Sequence, residues 1–221
     1  MRADVRAVLF DLDGTLIDSA PDLAGAANDL RGAHGLPPLD YLRLRPMVGS
    51  GARGMVGAAF GVVPGDERFE SLREDFLARY EARLLHSTLV FDAMKPVLQA
   101  LEGAGLPWGI VTNKAMRFAQ PVVEGLGLHQ RASVLVCGDT TPHAKPHPEP
   151  LHEAARRLGL PSSACIYVGD DLRDVIAGRA AGMATLAAAW GYLGLGDHID
   201  AWGADAVLAD PGALLNWLEL T

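Results

Sequence analysis

The sequence has little of what marks several large protein classes. It carries two cysteines, Cys137 and Cys165, in 221 residues. Each lies in an apolar run, so both are expected to be reduced core thiols, which argues against a disulfide-stapled framework. No apolar run approaches the ~18 residues of a membrane helix. Asp11 breaks the first apolar run too early for a secretory leader. A cytoplasmic protein with no membrane partner is therefore expected. Basic charge is also scarce, with 19 Lys and Arg against 27 Asp and Glu and a formal net charge of −8. Nothing in it suggests the clustered basic footprint of a nucleic-acid binder, and no nucleic-acid partner is expected. An anionic small ligand would need local positive charge or a metal. There is no internal repeat and no low-complexity tail. What remains, 49% hydrophobic and 21% charged residues, suffices for a packed core. The length allows one domain or a core with an insertion, and leaves a monomer or a homodimer open.

What is present is alternation. Val8, Leu9 and Phe10 run into Asp11, Asp13 and Gly14, the pattern of a buried parallel strand ended by a turn. After Asp18 the pattern turns helical. Ser19 and Pro21 read as an N-cap and a first-turn proline, and Leu23, Ala26, Ala27 and Leu30 recur at helical spacing. Breakers at Gly32, Gly35, Pro37 and Pro38 follow, then a short predicted helix over 39–44 and a longer one over 66–86. No strand is predicted over 22–86. Beyond Val90, predicted strands over 108–111, 134–137, 165–168, 183–188 and 206–208 alternate with helices. The expected fold is α/β, a doubly wound parallel sheet with an inserted α-helical block after the first strand. The expected organisation is a core of residues 1–17 and 88–221 and an insertion of residues 18–87.

Ligands of open α/β sheets bind beyond the carboxyl ends of the strands. Four predicted strand ends carry polar groups: Asp11 and Asp13; Thr112 and Asn113; Lys145 in the loop after the third strand; and Asp170, Asp171 and Asp174. A parallel sheet brings them to one rim. The set suits phosphoryl transfer. A phosphate and several carboxylates repel one another unless a hard cation such as Mg²⁺ bridges them, and Asp11 and Asp170 would supply oxygens to it. One carboxylate can attack phosphorus and form an aspartyl phosphate. A second can protonate the leaving oxygen and then deprotonate water. Lys145 would neutralise charge and orient the nucleophile. Thr112 and backbone N–H groups near Asn113 would hold phosphate oxygens, helped by the following helix N-terminus.

These stretches resemble, motif by motif, the haloacid dehalogenase superfamily of phosphotransferases. Asp11-Leu12-Asp13-Gly14-Thr15 resembles its first motif, Thr112 the second, Lys145-Pro146 the third and Gly169-Asp170-Asp171-Leu172-Arg173-Asp174 the fourth. The resemblance covers essentially the whole chain. It implies that Asp11 is the nucleophile and Asp13 the general acid/base, and that Mg²⁺ is held by Asp11, Asp170 and the backbone carbonyl of Asp13. It leaves Asp171 and Asp174 unranked as supports of the metal, and it makes the insertion the family's mobile helical cap. A dehalogenase has no alkoxide to protonate and lacks the second acid, so Asp13 favours phosphate-ester chemistry on a small phosphorylated metabolite.

Within the superfamily, Asp18-Ser19-Ala20-Pro21-Asp22, Val111-Thr112-Asn113-Lys114 and Lys145-Pro146-His147-Pro148 resemble the phosphoglycolate phosphatase-like branch. Gly51-Ala52-Arg53-Gly54-Met55-Val56, Arg117-Phe118-Ala119-Gln120-Pro121 and Trp202-Gly203-Ala204-Asp205 are more similar to the branch that hydrolyses N-acetylmuramic acid 6-phosphate. Both substrates carry a carboxylate, and Arg53 is the expected partner for it, since a guanidinium binds a carboxylate bidentately. A phosphomutase shares the aspartyl-phosphate step, and a non-catalytic binding protein could share the fold. Gly49-Ser50-Gly51-Ala52-Arg53-Gly54 fits the dinucleotide fingerprint, but lacks the preceding strand it needs. His143, His147 and His152 lie among prolines, without the spacing of a zinc helix, and are expected to form a solvated loop.

Overall fold

A computed structural model describes residues 4–220. The strands are β1 (Ala7–Phe10), β2 (Ile17–Asp18), β3 (Leu89–Val90), β4 (Trp108–Val111), β5 (Leu135–Val136), β6 (Cys165–Gly169), β7 (Ala184–Ala188) and β8 (Ala206–Leu208). The α-helices are α1 (Ala20–Ala33), α2 (Tyr41–Leu44), α3 (Gly51–Phe60), α4 (Phe69–Glu81), α5 (Met94–Gly103), α6 (Met116–Gly125), α7 (Glu149–Leu158), α8 (Leu172–Ala180) and α9 (Ala213–Leu218). Six strands form one sheet in the order β5-β4-β1-β6-β7-β8, and every pairing in it is parallel. The expected doubly wound sheet is therefore present.

The sequence of β1 explains its place. Side chains alternate faces along a strand. Val8 and Phe10 join the apolar cluster on one face of the sheet, and Ala7 and Leu9 join the cluster on the other. A strand covered on both faces must be apolar throughout, and all four residues are fully buried. Val8 lies opposite Trp108 of β4, and Ala7 opposite Cys165 of β6. The chain departs from β1 towards β4 and β5 on one side and β6 to β8 on the other. The direction reverses at the carboxyl end of β1, where a doubly wound sheet opens a crevice.

The helices α1 to α4 all lie between β2 and β3, which pair as an antiparallel ribbon, Ile17 opposite Val90 and Asp18 opposite Leu89. Two-residue strands carry no readable period, and this ribbon is absent from the sequence expectations. Leu23, Met55, Phe76 and Tyr80 of the inserted helices belong to the same apolar cluster as Phe10, Leu12, Leu16 and Trp108. Insertion and sheet share one core.

The segments expected at 108–111 and 206–208 match β4 and β8. The strand expected over 134–137 shortens to Leu135–Val136. It is an edge strand with β4 as its partner, and the N–H of Cys137 leaves the ladder for Thr140 Oγ1 at 2.8 Å. The helix expected over 66–86 narrows to Phe69–Glu81. Beyond it the buried carboxylate of Asp22 captures the N–H groups of Ser87 and Thr88, at 2.9 and 2.8 Å, and draws the chain into β3. The helix expected over 39–44 shortens to Tyr41–Leu44, because Asp40 caps it by accepting from the N–H of Leu42 at 2.7 Å.

Candidate active site

The site is built at the crevice beyond β1. The N–H of Asp11 donates to Val168 of β6 at 2.9 Å, so the ladder holds the backbone of Asp11 one residue past the strand. Lys145 Nζ lies 2.8 Å from Asp11 Oδ1, 2.7 Å from Asp174 Oδ1, 2.6 Å from the Tyr167 hydroxyl and 3.1 Å from the Val111 carbonyl. Only 3% of the Lys145 side chain is exposed, so no water is needed to complete an ammonium with three donors. Asn113 fixes the lysine's loop: its Oδ1 accepts from Lys145 N–H and its Nδ2 donates to the Lys145 carbonyl, both at 2.9 Å. Burial pushes the Asp11 carboxyl up to about 6, against the pull of Lys145 and with added repulsion from Asp174 and Asp13. Burial works against the Lys145 ammonium, but Asp11 and Asp174 outweigh it and hold the group above its ordinary value.

Asp170 and Asp174 follow β6 and open α8. Asp174 Oδ2 accepts from the N–H of Asp171 at 3.1 Å while its Oδ1 faces Lys145. Asp171 caps α8 and pairs with Arg173 at 2.7 Å. The guanidinium of Arg173 also reaches the carbonyl of Gly49 in the insertion. Asp174 thus turns inward and Asp171 outward. Asp170 receives the Thr15 hydroxyl at 2.8 Å and the Tyr192 N–H at 2.7 Å, and among the described residues it forms no ion pair. Burial, with repulsion from Asp11 and Asp174, raises its pKa well above the ordinary range. Gly14, at φ +89°, and Gly191 leave it room: a Cβ at either would come within 2.3 Å of an Asp170 atom. Oxygens of Asp11, Asp170 and Asp174 lie within 4.8 Å of one another. A crowded, buried set of hard oxygen donors, one without a cationic partner, fits a divalent cation.

Asp13 has a separate lysine. Lys114 Nζ lies 2.9 Å and 3.1 Å from its two carboxylate oxygens and 2.6 Å from the hydroxyl of Tyr80 on α4. Ser19 was expected to cap α1, yet its side chain makes no cap hydrogen bond; its hydroxyl donates to Asp13 Oδ1 instead. The start of α1 is served by Tyr192, whose hydroxyl accepts from Ser19 N–H at 2.8 Å and Ala20 N–H at 3.0 Å.

These groups line a cavity of about 350 Å³ between the sheet rim and the insertion, walled on its apolar side by Leu23, Phe76, Leu77 and Phe118. Asp11, Asp13, Thr112, Asn113, Lys145 and Asp170 all line it, so residues far apart in sequence converge as expected. Thr112 is buried, and its Oγ1 accepts from the N–H of Lys114 at 3.1 Å, leaving the hydroxyl proton for a ligand. The Asn113 side chain is committed to Lys145, and the N–H of Met116 at the start of α6 is committed to Asp139 at 2.8 Å. Arg53 does not line this cavity. It is exposed and lines a second one of about 600 Å³, which holds neither Asp11, Asp13, Lys145 nor Asp170. Gly49 and Ser50 end a 3-10 turn that leads into α3, and the element directly before that turn is the helix α2, not a strand. His143 and His147 are exposed; with Glu149 they bring three donor atoms within 4.8 Å on the surface, while His152 meets Ser162 at 3.0 Å. Lys114, Tyr80, Thr15 and Tyr192 went unassigned from sequence. Lys114 was within reach of the strand-end rule that found Thr112 and Asn113; the tyrosines enter only through tertiary packing.

An α/β sheet with a buried carboxylate–lysine centre at its switch point, roofed by inserted helices, defines a class of hydrolases. The sequence pattern of haloacid dehalogenase-like hydrolases matches residues 5–182, and the chain belongs to that family. It is 45% identical over 218 residues to an N-acetylmuramic acid 6-phosphate phosphatase of Pseudomonas aeruginosa, covering 99% of this chain and 96% of that one. It is 49% identical over 210 residues to a phosphoglycolate phosphatase of Xanthomonas campestris, covering 95% and 94%. A crystal structure of a predicted phosphoglycolate phosphatase from Haemophilus somnus superposes with a TM-score of 0.87 at 26% identity, covering 99% of this chain and 100% of that one. The chain is an enzyme of the phosphatase type.

Proposed function

We propose that the chain is a Mg²⁺-dependent phosphomonoester hydrolase that works through an aspartyl phosphate on Asp11, with N-acetylmuramic acid 6-phosphate as the leading substrate. The observation that carries this reading is the buried Lys145 at 2.8 Å from the partly buried Asp11, beside the buried Asp170. Lys145 favours the ionised form of Asp11 against the burial that opposes it, and Asp11 lines the cavity. Asp11 attacks phosphorus, the bond to the ester oxygen breaks, and Asp13 gives that oxygen a proton. Asp13 then takes a proton from water, which attacks the aspartyl phosphate, releases phosphate and restores Asp11. Thr112 donates its hydroxyl to a phosphate oxygen, and Asn113 acts by holding Lys145 in place. The cation, when bound, offsets repulsion between phosphate and carboxylates. Asp11 and Asp170 would hold it through side-chain oxygens and Asp13 through its backbone carbonyl, while Asp174, bound to Lys145, supports the set from behind.

Residues 18–87 act as a cap over the core of residues 1–17 and 88–221 and exclude bulk water, as lids do. An amino sugar suits a cavity of about 350 Å³ with an apolar wall, at the lower end of the ~300–1,000 Å³ of small-molecule sites. The relative in Pseudomonas aeruginosa supports the same substrate. The Xanthomonas campestris relative favours 2-phosphoglycolate as the second reading. Phosphate release measured with Mg²⁺ and with EDTA tests both, on N-acetylmuramic acid 6-phosphate, 2-phosphoglycolate, glucose 1-phosphate and p-nitrophenyl phosphate. The expected result is Mg²⁺-dependent release with a kcat/KM advantage of about a hundredfold, ~2.7 kcal/mol, for the first. The same advantage for 2-phosphoglycolate would move the assignment to it. Release that EDTA leaves untouched would overturn the metal-dependent reading.

A further inference from the structure

The charges that line the cavity pair off with one exception of each sign. Lys145 takes Asp11 and Asp174, Lys114 takes Asp13, and Arg173 takes Asp171. Arg73, entering from α4, is paired on its own helix with Glu70 at 3.3 Å. Asp170 is the carboxylate left over. Arg117 is the cation left over: among the described residues no carboxylate lies within ion-pair reach of it, although it lines the same cavity as Asp11 and Lys145. Its guanidinium carbon lies over the Phe118 ring at 4.3 Å from the centroid, and Phe118 packs against Tyr80 at 5.6 Å. The aromatic face supports the guanidinium. Arg117 stands at the start of α6, after the loop that carries Thr112.

We infer that Arg117 is the specificity-determining residue that binds the substrate's second anionic group, a carboxylate, while the phosphate occupies the Asp11–Lys145 end. The inference rests on the proposed reading that the substrate carries a carboxylate besides its phosphate. An unpaired guanidinium offers two parallel N–H donors that match the two oxygens of a carboxylate, and its single positive charge balances a monoanion. The role expected of Arg53 falls to Arg117, because Arg53 lines the other cavity.

The test uses two substrate pairs that differ in the carboxylate: N-acetylmuramic acid 6-phosphate against N-acetylglucosamine 6-phosphate, and 2-phosphoglycolate against ethyl phosphate. The wild-type enzyme should prefer the carboxylated member of at least one pair. Arg117→Ala should raise KM for that member by roughly 10- to 100-fold, the range for a charge-assisted hydrogen-bonded contact, with kcat nearly unchanged. The uncarboxylated member should be hydrolysed as before, which also reports an intact fold. Arg117→Lys should recover part of the loss, since it restores the charge without the fork. A carboxylate preference that survives in Arg117→Ala overturns the inference alone. A wild type indifferent to the carboxylate in both pairs overturns it together with the reading it rests on.

Discussion

Two lysines hold the two carboxylates of the first motif, and they do so in different ways. Lys145 draws every partner from the sheet side: Asp11 after β1, Val111 of β4, Tyr167 of β6 and Asp174 of α8. Lys114 also meets Asp13 from the sheet side, but its third contact is Tyr80 of α4, inside the insertion. Ser19, the residue before α1, supplies another bond to Asp13. The surroundings of Asp11 are thus complete without the insertion, whereas those of Asp13 are completed by it. In the proposed mechanism the attacking group is preset, and the proton-transfer group depends on where α4 sits.

The largest break in that comparison should come from Lys145→Met. It leaves Asp11 and Asp174 buried without a counter-charge, which costs about 3–5 kcal/mol for a broken buried pair. Urea unfolding should report that loss together with the disappearance of turnover. Asp13→Asn should cost roughly 10²–10⁴ in kcat, the range for a lost general acid/base. It should cost less stability than Lys145→Met, because Lys114 loses one carboxylate, rather than two carboxylates losing their lysine, and keeps the Tyr80 hydroxyl. Tyr80→Phe removes the hydroxyl that ties Lys114 to α4 and should cost roughly 2- to 10-fold, one hydrogen bond's worth. If Tyr80→Phe matched Lys145→Met in either measurement, the division between a preset and a completed half would fail.

The smallest expected effect concerns pH. Burial pushes Asp11 up to about 6 and Asp170 well above the ordinary range. Without a divalent cation, the folded chain therefore keeps protons that an unfolded carboxyl, titrating near ~4, has released. Where the unfolded state binds fewer protons, stability falls as pH rises. Asp11 thus contributes stability that is fully present below about pH 4 and is lost as pH climbs through about 6, and Asp170 acts in the same direction. In the proposed mechanism Mg²⁺ would compete with those protons. The rise in Tm on adding Mg²⁺ should be larger at about pH 7.5 than at about pH 5.5. A Mg²⁺ shift that grows on acidification would contradict the assignment of the cation to these carboxylates.

The sheet was legible because its strands are buried on both faces and read as unbroken apolar runs, β1 most plainly. The rim was legible because polar groups at strand ends stand out against those runs: Asp11, Thr112 and Asp170 needed no more. Edges and very short elements were not legible. The outer bounds of β5 and of α4 were decided by Thr140 and Asp22, side chains that capture backbone N–H groups across a turn or across the fold. Ser19 carried a cap signal, but the pull of Asp13 decided where its hydroxyl went. Tyr192 supports Asp170 and the start of α1 from a position 172 residues beyond Ala20, and no local pattern announces such a contact. Arg53 stood out by motif similarity alone, and the fold turned it to another cavity.

The shared apolar core has a consequence for how such enzymes diversify. Phe76 and Tyr80 of the insertion pack in one cluster with Leu12, Leu16 and Trp108, so the insertion is not a cassette that can be lifted out and grafted onto a related sheet. A transplanted insertion would arrive with the wrong knobs for the holes beneath it, and substrate preference would move only with the buried floor that fits it. Surface positions on the cavity wall, Arg117 among them, are free of that constraint and can change one at a time.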